Sequence, residues 1–151
     1  MASRFRGVFK QSGVIPLFDD KVVLITARKS DRWIIPKGYI ELGMSAADSA
    51  AKEALEEAGL VGKVGEHPIG KYRYNKSGRH FVVLLYPFFV ETMLDVWDEV
   101  HERERCVVSP DVAATMVAHS DVGRLIRSYC ASLDDDEAVL VPPHVASAIT
   151  G

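Results

Sequence analysis

Cysteine is scarce in this chain: only Cys106 and Cys130 occur, and neither is grouped with histidines at metal-ligand spacing. That argues against a disulfide framework or a zinc site and fits a reducing, cytoplasmic compartment. Long hydrophobic runs are missing too. The longest, Phe81 to Val90, contains Tyr86 and Pro87 and is about half of a membrane span, so it reads as a buried strand. Met1 to Lys10 carries Arg4, Arg6 and Lys10, but no apolar stretch follows, and no export signal is read. Positive charge is not in surplus either. A formal net charge of -3 leaves no global field to hold nucleic acid or anionic lipid, so an anionic ligand must be met locally. Internal repeats and low-complexity segments are also absent.

What is present is a balanced composition, 48% hydrophobic and 26% charged over 151 residues, suited to one soluble domain with its own core. Residues 1–133 are read as that domain. The tail, 134–151, joins an acidic run to Pro142-Pro143 and small residues, and partial disorder is expected there. Val14 to Phe18 and Lys21 to Ala27 are β-rich runs joined by Asp19-Asp20, the pattern of a hairpin. Trp33 to Ile35 is a short β-rich piece that runs into Pro36-Lys37-Gly38, opening a loop as far as Met44. Ile69 to Tyr74 and Arg79 to Glu91 flank Asn75-Lys76-Ser77-Gly78 and predict a second hairpin. Arg105 to Val108 is a further candidate strand. Ser109-Pro110-Asp111 has the cap and first-turn proline of a helix start, and a helical stretch is expected from Val122 to Leu133.

One predicted helix carries the chemistry. Ser45 suits an N-cap, Asp48 follows at capping-box spacing, and Gly59 stands where a C-terminal glycine ends a helix, so Ala46 to Ala58 should be helical. At about 100° per residue, Glu53, Glu56 and Glu57 fall within one arc. The opposite arc holds Ala47, Ala51, Ala54, Leu55 and Ala58, mostly small side chains that admit a sheet closely, with the acids pointing outward. Like charges at these spacings repel. Lys52, four residues from both Asp48 and Glu56, relieves part of that, but a hard divalent cation would neutralise the cluster better, and magnesium is the natural choice. Three glutamates alone read as a solvated helix face. The order around them, from Gly38 through the acids to Gly59 and apolar Leu60, changes that reading.

That stretch, GYIELGMSAADSAAKEALEEAGL, resembles the box of the Nudix family: glycine, five residues, Glu, seven residues, Arg-Glu, apolar, any, Glu-Glu, any, glycine, apolar. Gly38, Glu53, Glu56, Glu57, Gly59 and Leu60 match, with Ala54 at the small apolar position. Met44 stands in place of the first glutamate and Lys52 in place of the arginine. Trp-Ile-Ile-Pro-Lys-Gly before the box and Trp97 to Arg105 after it look like the subgroup that cleaves diphosphoinositol polyphosphates and diadenosine polyphosphates. The resemblance implies a Nudix-type α/β/α sandwich around a mixed β-sheet. It also implies a hydrolase, dependent on Mg2+ with Mn2+ as an alternative, that cuts a phosphoanhydride bond in a small polyphosphorylated molecule.

By the same resemblance, Glu56 and Glu57 hold the metal, and Glu53 binds it or takes a proton from the attacking water. The carbonyl of Lys37 is a further ligand, which accounts for Gly38, and the Lys37 side chain is placed at phosphate. Lys52 keeps the charge of the family arginine and loses its fork, implying weaker positioning of the catalytic glutamate. Met44 implies reduced metal affinity or rate, with Glu41 as a substitute. Asp98, Glu99, Glu102 and Glu104 are available to complete the metal site, and the sequence does not choose among them. Phosphate contacts are expected from Arg28, Lys29 and Arg32 and from Lys71, Arg73, Lys76, Arg79 and His80, because cations grouped in two hairpins of an acidic chain favour an anionic ligand. Tyr72, Tyr74, Trp33 and Trp97 read as packing residues before base-stacking ones.

The partner implied is a small-molecule polyphosphate, without nucleic acid or membrane, and the chain a monomer or homodimer. Two other readings stay open. One is a Nudix enzyme of another substrate class, acting on ADP-ribose, a nucleotide sugar or an oxidised nucleotide. The other is a catalytically weakened module that senses a phosphorylated ligand.

Overall fold

The computed structural model describes residues 7–140, with side chains to Asp135. β1 (Val8–Phe18) turns through Asp19-Asp20 into β2 (Lys21–Thr26), with Phe18 opposite Lys21. Asp19 lies at φ 57°, a left-handed conformation that aspartate tolerates better than most residues. β3 (Trp33–Ile34) pairs with β2. β4 (Lys37–Tyr39), inside the stretch expected to be loop, pairs with β1. Helix α1 (Ala46–Ala58) leads into β5 (Leu60–Val64), a strand the sequence reading does not contain. β6 (Gly70–Lys76) and β7 (Arg79–Met93) form the second hairpin. It turns on Ser77 and Gly78, both at positive φ, as a two-residue connection matched to strand twist requires. β8 (Arg105–Val108), α2 (Pro110–Met116) and α3 (Ser120–Leu140) follow.

β1 organises the sheet. It runs parallel to β7 from Val8 opposite His80 to Leu17 opposite Phe89. Its other edge is shared between β4 at Gln11 to Gly13 and β2 at Leu17 and Phe18. The order is β3-β2-β1-β7-β5, with β8 on β2 and β6 on β7. Both faces are covered: Val22 and Leu24 of β2 point to one side, Val23 and Ile25 to the other, and all four are fully buried. The first pair joins Ile15, Tyr72, Val83 and Leu85 under α2 and α3, through Ala113, Val122 and Ile126. The second pair joins Val14, Tyr86 and Phe88 under α1, through Ala50, Ala54 and Ala58. Helices on both faces of a mixed sheet make the expected α/β/α sandwich. No helix among the described residues is long and apolar enough to cross a membrane.

Two expectations about the helices are corrected. The buried stripe of α1 is Ser49, Ala50, Ala54, Glu57 and Ala58, whereas Leu55 is 43% exposed. Small side chains face the sheet because only they allow close approach, and the acidic face is not wholly outward. α3 begins before Val122 and continues past Leu133, so residues 134–140 of the expected tail are helical. Propagation adds a hydrogen bond for each residue ordered, and this helix is already anchored by Val122 and Ile126. Residues 1–6 and 141–151, including Pro142-Pro143, lie outside the described residues.

Candidate functional site

α1 reaches the site with both ends defined. Ser45 Oγ accepts the N–H of Asp48 at 3.0 Å, and Gly59, at φ 66°, donates its N–H to the carbonyl of Leu55 at 3.0 Å. The alanine stripe sets the helix down on the sheet, so Glu53 and Glu57, one turn apart, reach β4. Gly38 is required at that crossing: a Cβ there would lie 2.4 Å from the carboxyl carbon of Glu53. Beside it, the N–H of Lys37 donates to Glu57 Oε1 at 3.1 Å.

Both carboxyls open on a cleft of about 590 Å³. Arg28, Arg32, Lys37, Lys76, Arg103 and His119 bring cationic or titratable groups to its walls, and Gln11, Tyr39 and Tyr74 line it between β1, β4 and β6. Burial pushes the Glu57 carboxyl up to about 8, with the charges of Glu53 and Glu99 adding to the rise. Glu53 is raised as well, first by burial and then by Glu56 and Glu99, although its hydrogen bond with Glu57 opposes this. On the facing wall burial lowers Lys37, and it lowers His119 with help from Arg32 and Lys37. Two crowded acids therefore face crowded bases. Adding a cation at the first and an anion at the second relieves both.

The segment between β7 and β8 closes this arrangement. Arg103, its side chain only 6% exposed, donates to Glu99 Oε1 from Nη2 at 2.8 Å, approaches Glu57 Oε2 at 3.6 Å and donates from Nη1 to the carbonyl of Thr26 at 3.0 Å. Removing one partner from such a cluster leaves a buried charge uncompensated, which is costly. Of the four downstream acids, only Glu99 lines the cleft. Glu102 pairs at the rim with Arg28, at 3.1 Å. Arg103 and His119 are absent from the sequence reading. Nothing local marks which arginine of a charged run turns inward, or that the residue before α3 lies across from the acidic helix.

Other expected contacts resolve by geometry. Lys52 does not pair with Glu53: its Nζ lies 2.5 Å from Glu41 Oε2 and 3.5 Å from Glu56 Oε2. That contact engages Glu41 and draws Glu56 aside, so Glu56 does not line the cleft. Arg28 and Arg32 do line it. Lys71, Arg73 and Arg79, also expected at phosphate, do not line it. Alternation along β6 puts Lys71 and Arg73 on the face opposite Tyr72 and Tyr74, and the Arg79 guanidinium lies over the Phe9 ring at 5.3 Å. Lys76, one of the expected contacts, has the same parity as the two tyrosines and lines the cleft. Tyr74 is a packing residue: its ring stacks on Phe81 at 4.7 Å, its hydroxyl donates to Gln11 Oε1 at 2.7 Å, and Lys37 Nζ lies 4.8 Å from its centroid.

A model of the NUDIX domain matches residues 10–128. The chain belongs to the Nudix family. Nudix hydrolase 17, mitochondrial, of Arabidopsis thaliana is 38% identical over 100 residues, 64% of this chain and 54% of that protein. Diphosphoinositol polyphosphate phosphohydrolase 3-alpha of Homo sapiens is 33% identical over 82 residues, 54% of this chain and 49% of that protein. The chain thus spans about half the length of these curated relatives. Among solved structures, the C. elegans Ap4A hydrolase has the same fold, with a TM-score of 0.69 at 20% identity, covering 84% of this chain and 99% of that one.

Nudix enzymes generally require a divalent metal, and the donor set of the Nudix box fits one. Glu53 and Glu57 are both raised, each in part by neighbouring carboxylates; a hard cation would supply the charge that a proton otherwise supplies. Among the described residues no three His, Cys, Asp or Glu side chains already form a metal-holding group, since Glu56 leans to Lys52 and Glu99 is clamped by arginines. Two carboxylates completed by water and substrate phosphate is a common way of holding magnesium.

Proposed function

We propose that the protein is a divalent-cation-dependent pyrophosphohydrolase that cuts a phosphoanhydride bond in a small polyphosphorylated molecule, of the diphosphoinositol polyphosphate or diadenosine polyphosphate class. The supporting observation is the opposition, across one cleft, of the Glu53–Glu57 pair to Arg32, Lys37 and Lys76. Magnesium is the proposed cation, with Mn2+ able to replace it. Glu53 and Glu57 would hold it with the carbonyl of Lys37, and Glu56, paired with Lys52 outside the cleft, would join them only by swinging away from that lysine. When bound, the cation supplies neutralisation of phosphate charge and a more acidic water. Glu53, beside the cation, would accept the proton of the attacking water. Arg32, Lys37 and Lys76 hold the non-reacting phosphates, so the bond to be broken is fixed against the acids. Glu99 stands on the far side of Glu57, held by Arg103. Lys52 steadies Glu56 and Glu41, and the placement of Glu53 falls to the Gly38 backbone and to Glu57. The free thiols Cys106 and Cys130 suit the cytoplasmic location proposed with this reading.

The test is a substrate panel with Mg2+ and product identification: inositol pyrophosphates, diadenosine polyphosphates, ADP-ribose and nucleotide sugars. Turnover of the first two, abolished in Glu57→Gln, is the expected result. Preference for ADP-ribose or a nucleotide sugar would move the chain to another Nudix substrate class. A second reading, a sensor of phosphorylated ligands, is favoured by one observation, that Lys52 is drawn to Glu41 and Glu56 rather than to Glu53. Ligand binding without turnover of any member of the panel would select it.

A further inference from the structure

The last turn of a helix leaves its carbonyls without intrahelical partners, and α1 has no basic residue there to supply donors. The Leu55 carbonyl takes the Gly59 N–H, and the donors to the next four carbonyls come from residues 94–105, the segment between β7 and β8 together with the first residue of β8. The carbonyl of Glu56 accepts from the Glu99 N–H at 3.2 Å, that of Glu57 from Trp97 Nε1 at 2.9 Å, that of Ala58 from Arg105 Nη1 at 2.8 Å, and that of Gly59 from the Leu94 N–H at 2.8 Å. The indole also lies against Gly59, where a Cβ would come within 2.7 Å of the ring, and the Arg105 guanidinium covers it at 4.2 Å. Four consecutive carbonyls are thus gripped by one segment, which also holds the Glu57 carboxylate through Arg103.

On the other side of α1 the Glu53 side chain packs against Gly38 and fills the space that a Cβ there would need. A small slip or rotation of the helix therefore displaces Glu53 and Glu57 together against β4. The geometry points to Trp97 as a positioning residue for the carboxylate pair. By holding the carbonyl of Glu57 itself, its indole N–H sets where Glu53 and Glu57 meet a divalent cation. This inference rests on the function proposed above. Trp97 is not among the residues lining the cleft and acts through the backbone of α1.

The test measures Mn2+ binding to the substrate-free protein by electron paramagnetic resonance, beside steady-state kinetics. Trp97 is replaced by 3-benzothienylalanine, which keeps the ring shape and removes only the N–H, and in a second variant by phenylalanine. The Mn2+ dissociation constant should rise about tenfold in both, the scale seen when an outer partner of a metal ligand is lost. kcat should fall by a similar factor, while KM for the polyphosphate stays within about twofold. Ile126→Val, buried under the opposite face, serves as the control: it should lower Tm and leave Mn2+ affinity unchanged. If Ile126→Val weakens Mn2+ binding as much as the Trp97 variants do, the indole is only structural and the inference is overturned. A parent that binds no Mn2+ sinks the functional reading and the inference with it. A protein that binds Mn2+ as tightly without the indole N–H sinks the inference alone.

Discussion

Replacing Gly38 with alanine should separate folding from function. The new Cβ would sit 2.4 Å from both Cδ and Oε2 of Glu53 and 2.9 Å from its Cγ, against ordinary carbon contacts of about 3.5–4.0 Å. Glu53 must therefore withdraw by about 1 Å or more. The backbone does not resist the change: Gly38 is a strand residue opposite Ser12 and is not among the glycines at positive φ. The obstructing atoms are the free end of a flexible side chain, so the cost should be about 1 kcal/mol or less, that of an unfavourable rotamer. A domain of this size would then keep Tm within about 4 °C of the parent. Catalysis should not be spared, because misplacing a reacting group by about 1 Å costs on the order of 100-fold. That corresponds to about 2.7 kcal/mol in the barrier. The assay is Mg2+-dependent product release from the substrate found by the panel, run beside thermal denaturation. A folded Gly38→Ala protein with parental kcat would refute the claim that the Glu53 carboxylate occupies this space during catalysis.

Glu57 should leave a pH signature in metal-free protein: its folded value near 8 is raised from 4.5, so its contribution is fully present below the unfolded value and is lost as pH climbs through the folded one. In EDTA, Tm should fall between about pH 5 and 8.5, and Glu57→Gln should flatten that fall; equal slopes in both proteins would assign it to another group. Lys76→Ala and Arg32→Ala should raise KM for a polyphosphate about tenfold, whereas Lys71→Ala and Arg79→Ala, outside the cleft, should leave it within about twofold. Equal losses across the four would mean that substrate also contacts the outer face of the β6–β7 hairpin. Ser45→Ala, which removes the cap on the Asp48 N–H, should cost about 1 kcal/mol in urea denaturation. An unchanged midpoint would show that packing against the sheet holds the first turn without it.

Much of this molecule is written locally. Ser45 and Gly59 mark the ends of α1, Asp19-Asp20 and Ser77-Gly78 mark the hairpins, and Ser109-Pro110 starts α2, because caps and tight turns depend on groups a few residues apart. The Nudix box, read from Gly38 to Leu60, brought the sandwich and the acidic trio with it. By contrast, β4 and β5 were not legible. Each is a short segment that becomes a strand only because β1 or β7 offers an unpaired edge. Leu55 was placed on the wrong side of α1 for a related reason: the face a helix buries depends on what lies beneath it, and beneath α1 is a sheet that admits alanine.

Sequence by itself therefore determined which acids share one helical arc, Glu53, Glu56 and Glu57, with Gly38 before them. The tertiary structure decided which of them face the cleft. It turned Glu56 towards Lys52, brought only Glu99 of four downstream acids to the cleft, set Arg103 between Glu57 and Glu99, kept Lys76 at the cleft while leaving Lys71, Arg73 and Arg79 outside it, and added His119. The physical reason is distance along the chain. A carboxyl's burial and its charged neighbours come from strands and loops tens of residues away, and no local pattern encodes which of several similar charges the sheet will carry inward.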